Sequence, residues 1–189
     1  RLNARKNYEM VLNKEPLHLS ALRDLAILDF EAGSYEKAAE GFIKALNQVP
    51  NDDGLAWYFL GLCNLKKDDI EEAIRCGFKA SRCIGTVSIG YDFVGEGYML
   101  KKDYNGAIKY FEKAYESNQN DPRVAYHYLL AKYASGEIQE AGKMVAQRIK
   151  QYPSELVPKF LAAIIDKNLQ EKVTEIIKFL GEDDFRELQ

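Results

Sequence analysis

The residues best suited to acid–base chemistry are two histidines, His18 and His127, which lie far apart in the sequence. A catalytic histidine needs a second group that orients it and a reacting atom within hydrogen-bond reach. His18 stands in a turn before an apolar-periodic segment, so we expect a solvated or helix-capping residue. His127 is a lone histidine without an obvious Asp or Cys partner, and we expect it to be a contact residue rather than a base. The sequence therefore predicts a protein that is not an enzyme.

The three cysteines, Cys63, Cys76 and Cys83, form no C-x-x-C pair and adjoin no histidine. Structural zinc sites need several thiolate or imidazole ligands at short spacings, so no metal site is expected. The cysteines are also too few for a disulfide framework, which favours a reducing compartment. We predict a cytoplasmic protein, and leave open an exported one whose signal was removed before Arg1.

Acidic residues and glycines give no sign of a cofactor or a calcium ion. The segment from Gly85 to Gly90 lacks the Lys-Ser/Thr ending of a phosphate-binding loop. The acidic clusters lack the alternating oxygen ligands of a calcium loop and precede helical segments, where carboxylates favour the positive end of the helix dipole. We expect each to be a helix cap: Asp52–Asp53, Asp68–Glu72 and Glu182–Asp184.

Composition excludes two classes of partner. The formal net charge is −3, whereas neutralising nucleic-acid phosphates requires a basic surface. No apolar run approaches the ~18–20 residues of a membrane-spanning helix. We therefore predict no nucleic-acid partner and no membrane insertion. Gly and Pro number only 13 and 5, which together with plentiful Ala, Leu, Glu and Lys favours helix over strand.

The elements that position these residues follow a repeat. Successive positions in one column of small residues are 34 or 35 apart, and columns seven, four and twelve residues later keep the same period. The first column is Ala4, Ala38, Ala73, Ala107 and Ala141; the others include Val11, Ala45, Ala80 and Ala114, then Tyr8, Phe42, Phe111 and Val145, then Pro16, Pro50 and Pro153. This periodicity predicts stacked copies of one supersecondary unit.

Each unit predicts two helices. In the first complete unit, Gly33 is expected to end the first helix in the left-handed conformation, and Ser34 to cap the second. Ala38 and Phe42 then begin the buried stripe of the second helix. Because one such hairpin cannot bury its own apolar face, neighbouring units must stack.

These residues resemble the tetratricopeptide repeat (TPR) family, most closely in Trp57–Gly61 and Tyr104–Phe111. The resemblance implies an all-α fold, an α-solenoid of antiparallel helix pairs in a right-handed superhelix, with about eleven helices in a single array. We place the units at residues 1–18 (the second helix of a truncated repeat), 19–53, 54–87, 88–121, 122–155 and 156–189 (a degenerate repeat or capping helices).

The glycines give two further predictions. Gly61 and Gly95 are expected to let paired helices approach closely. Gly77 replaces the large aromatic of its column, and a mid-helix Gly costs about 1 kcal/mol relative to Ala. Because Gly90 and Gly97 follow nearby, residues 77–97 are predicted to be the softest joint of the array.

In the TPR family the first helices of successive pairs line a concave surface on which peptides or partner helices lie. The resemblance, with i, i+4, i+7 spacing, places the groove residues at Arg23, Ile27, Phe30, Tyr58, Leu62, Leu65, Asp92, Glu96, Met99, Tyr126, Leu130 and Tyr133. Most are apolar or aromatic, which favours an apolar segment or amphipathic helix as the partner, while Asp92 and Glu96 favour a basic residue near its middle.

The sequence also allows alternatives to an open apolar groove. The stripe can pack against neighbouring helices in a tightly curved array. The chain can also be a structural arm of a larger protein or complex, or a homo-oligomer. A carboxylate clamp, with Arg123 and His127 at one end, is disfavoured because Ile27, Phe59 and Leu62 stand where polar clamp residues are needed. The sequence thus predicts a protein–protein interaction adaptor.

Overall fold

The computed structural model describes residues 2–49 and 51–154, which form helices joined by short turns. The helices in this part of the chain are α1 (Leu2–Lys14), α2 (Leu19–Glu31), α3 (Tyr35–Leu46), α4 (Gly54–Lys66), α5 (Ile70–Ala80), α6 (Val87–Leu100), α7 (Tyr104–Ser117), α8 (Pro122–Ala134) and α9 (Ile138–Gln151). The predictions for Pro50, for the degenerate repeat at 156–189 and for the cap at Glu182–Asp184 lie outside the described residues.

The helices stack in chain order. Each helix contacts the next one, and α2, α4, α6 and α8, the first helices of successive pairs, also contact one another in sequence. The predicted all-α helical repeat solenoid is therefore confirmed. None of the described helices is long and apolar enough to cross a membrane.

Side-chain caps begin most of the helices, because the first N–H groups of a helix lack backbone partners. The carboxylates of Asp53, Asp69, Asp103 and Asp121 each accept a hydrogen bond from a backbone N–H in the first turn of α4, α5, α7 and α8. His18 has the capping role foreseen for it, since its Nδ1 accepts from the N–H of Ala21 at 3.3 Å. The cap predicted at Ser34 is wrong: this residue precedes α3, but its side chain makes no capping hydrogen bond.

The turn between the two helices of each pair uses one backbone conformation at the same position. Gly33 and Gly136 have φ values of 78° and 91°, and Asp68 and Lys102 have 61° and 60°. The left-handed conformation predicted for Gly33 is thus confirmed. In the two middle pairs this position holds residues with a Cβ atom, which are strained there.

The predicted small-residue column lies at the centre of the packing. Ala38, Ala73, Ala107 and Ala141 are all 0–1% exposed. These methyl groups lie in a close-packed interior, where a larger side chain would overpack the helices. Phe42, Phe111 and Val145 in the next column are buried as well.

Glycines between α4, α5 and α6 make room for a ring. A Cβ atom on Gly61 would lie 2.5 Å from Cε1 of Phe93. A Cβ atom on Gly77 would lie 2.7 Å from Cγ2 of Val94 and 3.1 Å from Cδ1 of Phe93. Gly77 replaces the aromatic residue of its column, and the Phe93 ring of α6 fills the space there together with the Val94 side chain. Gly95 works as predicted within its own pair, since an added Cβ would lie 2.5 Å from the ring of Phe111.

This packing argues against the soft joint predicted at residues 77–97. A Cβ on Gly90 would lie 2.2 Å from the backbone nitrogen of Ser81, and one on Gly97 would lie 2.5 Å from Cγ1 of Ile74. Both distances are far shorter than van der Waals contact, which is about 3.5–4.0 Å between carbon atoms. The glycines therefore permit close approach of α5 and α6 rather than loosening them.

Candidate functional site

The predicted groove residues lie on α2, α4, α6 and α8, and we call their shared side of the stack the groove face. All of them are partly exposed except Asp92, which is only 1% exposed. Several also pack inward: Ile27 and Phe30 lie against one core cluster, Met99 against a second and Tyr126 against a third. The stripe thus contributes to the packing between helices and to the surface at the same time.

A charged cluster joins α6 to α8 on this face. Nδ1 of His127 lies 2.9 Å from Oδ1 of Asp92 and 3.5 Å from Oε1 of Glu96. The guanidinium of Arg123 lies 3.4 Å from the other Asp92 oxygen, Oδ2. Asp92 and Glu96 are one helical turn apart on α6, and Arg123 and His127 are one turn apart on α8, so i, i+4 spacing brings the four groups together.

A tyrosine of α4 extends this cluster to a third helix. Burial raises the pKa of the Tyr58 hydroxyl group, and the nearby Arg123 guanidinium partly offsets this effect. The Tyr58 ring also packs edge-on against Phe93, with 5.3 Å between centroids. Tyr58 of α4 thus lies beside the charged cluster, which itself joins α6 to α8.

Burial changes the acid–base properties of the cluster. Burial raises the pKa of Glu96, and the nearby charge of Asp92 raises it further. For His127, burial alone lowers the pKa, but the hydrogen bond and charge of Asp92 and the charge of Glu96 outweigh it and the pKa is raised. The Asp92 charge is balanced by cations on α8, as a buried carboxylate requires.

Two expectations about these residues need correction. His127 is not a lone histidine, because Asp92 and Glu96 both lie against its Nδ1. Asp92 is buried and already paired with Arg123 and His127, so it offers little to a basic residue of a partner, whereas Glu96 remains about one-third exposed. The two cations named for a carboxylate clamp are thus engaged with Asp92.

A hollow of about 290 Å³ lies beside the cluster. Its lining consists of Glu96, Met99, Leu100, Phe111, His127 and Leu130. Predicted groove residues from two helices meet here: Glu96 and Met99 of α6, and Leu130 of α8. Most of the wall is apolar, with one acid and one imidazole at the edge.

The amino-terminal half of the groove face is held by other contacts. Arg23 pairs with Asp24 at 3.1 Å and with Asp53, the cap of α4, at 3.4 Å. Phe30 packs edge-on against Phe59 at 5.6 Å. The cation predicted at the start of the groove is therefore engaged with acids of the chain itself.

The cysteines are packing residues with raised pKa values. Cys63 and Cys76 belong to one core cluster, and all three cysteines are free and buried. Burial raises the pKa of the Cys63 thiol to about 11 and that of Cys76 to about 12. A thiol that stays protonated at neutral pH is a poor nucleophile and a poor metal ligand.

Two family models place the chain among known proteins. Both are described as tetratricopeptide repeat; one matches residues 23–75 and the other residues 98–164. Together they cover more than half of the sequence. The chain belongs to the tetratricopeptide repeat family. Because stacked TPR pairs create an extended surface for partners, this TPR chain is a protein-interaction scaffold.

Solved structures support the TPR fold. The chain is 19% identical to PilF of Pseudomonas aeruginosa, with a TM-score of 0.73 over 99% of this chain and 97% of that one. A TPR protein from Parabacteroides merdae is 15% identical, with a TM-score of 0.76 over 95% and 72% of the two chains. YrrB, described as a TPR protein with an unusual peptide-binding site, is 20% identical, with a TM-score of 0.67 over 89% and 87%. No curated protein matches the sequence.

Proposed function

We propose that this TPR chain is an adaptor that binds an apolar segment or amphipathic helix of a partner protein across the groove face of α4, α6 and α8. The observation that carries the proposal is the hollow beside the charged cluster. Its volume of about 290 Å³ lies just below the range for small-molecule sites, about 300–1,000 Å³. A space of this size suits a few side chains of a peptide better than a large cofactor.

The surroundings of the hollow favour the same kind of ligand. Met99 and Leu130 offer apolar walls, and Tyr126 is half-buried beside the His127 ring at 5.8 Å between centroids. Aromatic and methionine side chains are enriched at protein interfaces, because they give large contact areas that adapt in shape. Glu96 at the edge favours a basic residue next to the apolar one.

The test is selection from a phage-displayed library of random peptides, followed by fluorescence polarisation with the selected peptides. We expect selected peptides to combine apolar and basic residues, and Leu130→Asp to weaken binding at least tenfold, about 1.4 kcal/mol. Tyr126→Ala should weaken it less. The control is Ile43→Asp, because Ile43 is also apolar and reaches the surface, at 47% exposed, but lies on α3, away from the groove face. Peptides that bind Leu130→Asp as well as the wild type, or lose affinity equally with Ile43→Asp, would overturn the proposal.

A second candidate is a self-associating or structural arm, and a different surface favours it. Ile84 is fully exposed, and Leu55 and Val87 are more than one-third exposed near the turn between α5 and α6. Exposed apolar side chains mark a contact between proteins where they join into one patch. Light scattering across a concentration series decides the point: an oligomer that Ile84→Asp converts to a monomer supports the arm, and a monomer at all concentrations contradicts self-association.

We also propose a role without catalysis in a reducing compartment such as the cytoplasm. The buried thiols Cys63 and Cys76 lie in the core, where oxidation would disturb the packing. The contacts of His127 join it to carboxylates and aromatic rings, which fits a residue that positions the groove wall.

A further inference from the structure

Three side chains on the groove face have the types and spacing of metal ligands. One oxygen of Asp92, one oxygen of Glu96 and one ring nitrogen of His127 all lie within 4.8 Å of one another. Zinc binds carboxylate oxygens and imidazole nitrogens at about 2.0–2.2 Å, so two ligand atoms of a tetrahedral site lie about 3.3–3.6 Å apart. The pairs with His127 Nδ1, at 2.9 and 3.5 Å, are already near this spacing. The carboxylate oxygens of Asp92 and Glu96 must approach by at most about 1.5 Å, and Glu96, which is partly exposed, has the freedom to move.

We propose that Asp92, Glu96 and His127 bind a divalent metal ion of the zinc type on the groove face. The proposal stands apart from peptide binding, because it concerns the free chain and an ion alone.

The mixed ligand set favours zinc over calcium and magnesium. An imidazole nitrogen with two carboxylates suits zinc and similar transition metals, whereas calcium and magnesium prefer oxygen ligands only. Nδ1 of His127 already lies against both carboxylates, at 2.9 Å from Asp92 and 3.5 Å from Glu96. A metal ion would take the place between these atoms that a proton on Nδ1 occupies otherwise, and that proton would pass to solvent.

The neighbours of the three ligands act as supports. Arg123 lies on Oδ2 of Asp92 and leaves Oδ1 directed at His127. A ligating carboxylate held in this way is typical of metal sites, where a second layer of contacts orients the ligands. The His127 ring is fixed between Phe111 and Tyr126, with centroid distances of 5.5 and 5.8 Å.

The hollow lies next to the proposed metal site. Glu96 and His127 both line it, together with apolar side chains such as Leu130. Three protein ligands with a fourth position facing a cavity is the arrangement of zinc sites that keep a water molecule or accept an outside ligand.

The experiment is titration of the purified chain with zinc chloride, followed by calorimetry, and with cobalt chloride, followed by absorption. We expect one ion per chain, binding at least tenfold weaker in both His127→Ala and Glu96→Gln, and a cobalt spectrum without a thiolate charge-transfer band. His18→Ala is the matched control, because it removes the other histidine and should leave binding unchanged.

Glu96→Gln keeps the experiment decisive if His127→Ala disturbs folding, since the change is isosteric and Glu96 is partly exposed. Circular dichroism of each variant checks that the helices are intact. Absence of saturable binding, binding that survives in Glu96→Gln, or a thiolate band from cobalt would each overturn the proposal.

Discussion

The contact between α5 and α6 at Gly90 gives the sharpest stability prediction. In Gly90→Ala the new methyl carbon would lie 2.2 Å from the backbone nitrogen of Ser81 and 2.5 Å from its Cα. Backbone atoms cannot rotate away, so α6 must shift, and the cost should reach the upper end of the range for overpacking, about 3 kcal/mol. Alanine regains about 1 kcal/mol of helix propensity. The expected net loss is therefore about 2 kcal/mol.

The assay is urea unfolding followed by far-ultraviolet circular dichroism, with Gly97→Ala as the matched variant. There the new methyl meets the side chain of Ile74, which can adjust, so the net loss should stay within about 1 kcal/mol. Hydrogen exchange of the wild type should show residues 77–97 protected at least as well as the rest of the array. If Gly90→Ala matches or exceeds the wild type in stability, the close approach of the two helices is not what the structure implies.

Three further changes test other parts of the stack. Lys102→Gly should stabilise the chain by about 0.5–1 kcal/mol, because the strain of a side chain at a φ of 60° exceeds the entropy cost of a glycine. The control Lys67→Gly, at a φ of −98°, should destabilise the chain, and equal urea midpoints for the two variants would contradict the argument. Phe93→Ala should lower the free energy of unfolding by urea by about 3–5 kcal/mol, since the ring is 2% exposed and fills a space between three helices. A decrease under about 1 kcal/mol would refute that role. Burial raises the thiol pKa values of Cys63 and Cys76 to about 11 and 12, so the folded chain holds these two protons more tightly than the unfolded chain does. The stabilisation that results is fully present below the thiol pKa of the unfolded chain, about 8.5, and is lost as the pH rises through the thiol pKa values of the folded chain. Between about pH 8 and 11 the free energy of unfolding of the Cys63→Ala/Cys76→Ala variant should fall less than that of the wild type. Equal decreases in the two proteins would contradict the role given to the buried thiols.

The repeat made most of the fold predictable from sequence. The buried face of each second helix could be predicted from the alanine column at Ala38, Ala73, Ala107 and Ala141. In stacked units the same position of every repeat packs against its neighbour, so a small residue that recurs with the repeat period marks a buried position. The caps at Asp53 and Asp69 followed from acids placed just before helices. Phe93 was missed, since a ring that fills the gap left by Gly77 lies sixteen residues away on another helix.

The candidate site was only partly predictable. The spacing of Asp92 and Glu96 placed both on one face of α6, and the family resemblance put that face in the groove. That His127 meets them could not be seen in the local sequence, because its partners lie one repeat earlier at separations of 35 and 31 residues. A search for charged residues about one repeat period apart on first helices would have found the Asp92–His127 pair.

The ring of Phe93 limits how freely these repeats can be exchanged. Repeat arrays are often treated as interchangeable modules that add their own stability and one contact with each neighbour. Here the core of one helix pair contains a side chain of the next pair, because Phe93 of α6 fills a space lined by Gly61 of α4 and Gly77 of α5. Cutting, duplicating or transplanting the array between α5 and α6 would leave a void on one side and an unpaired ring on the other. The two middle pairs, α4–α5 and α6–α7, should therefore unfold together, and an engineered array should keep them together.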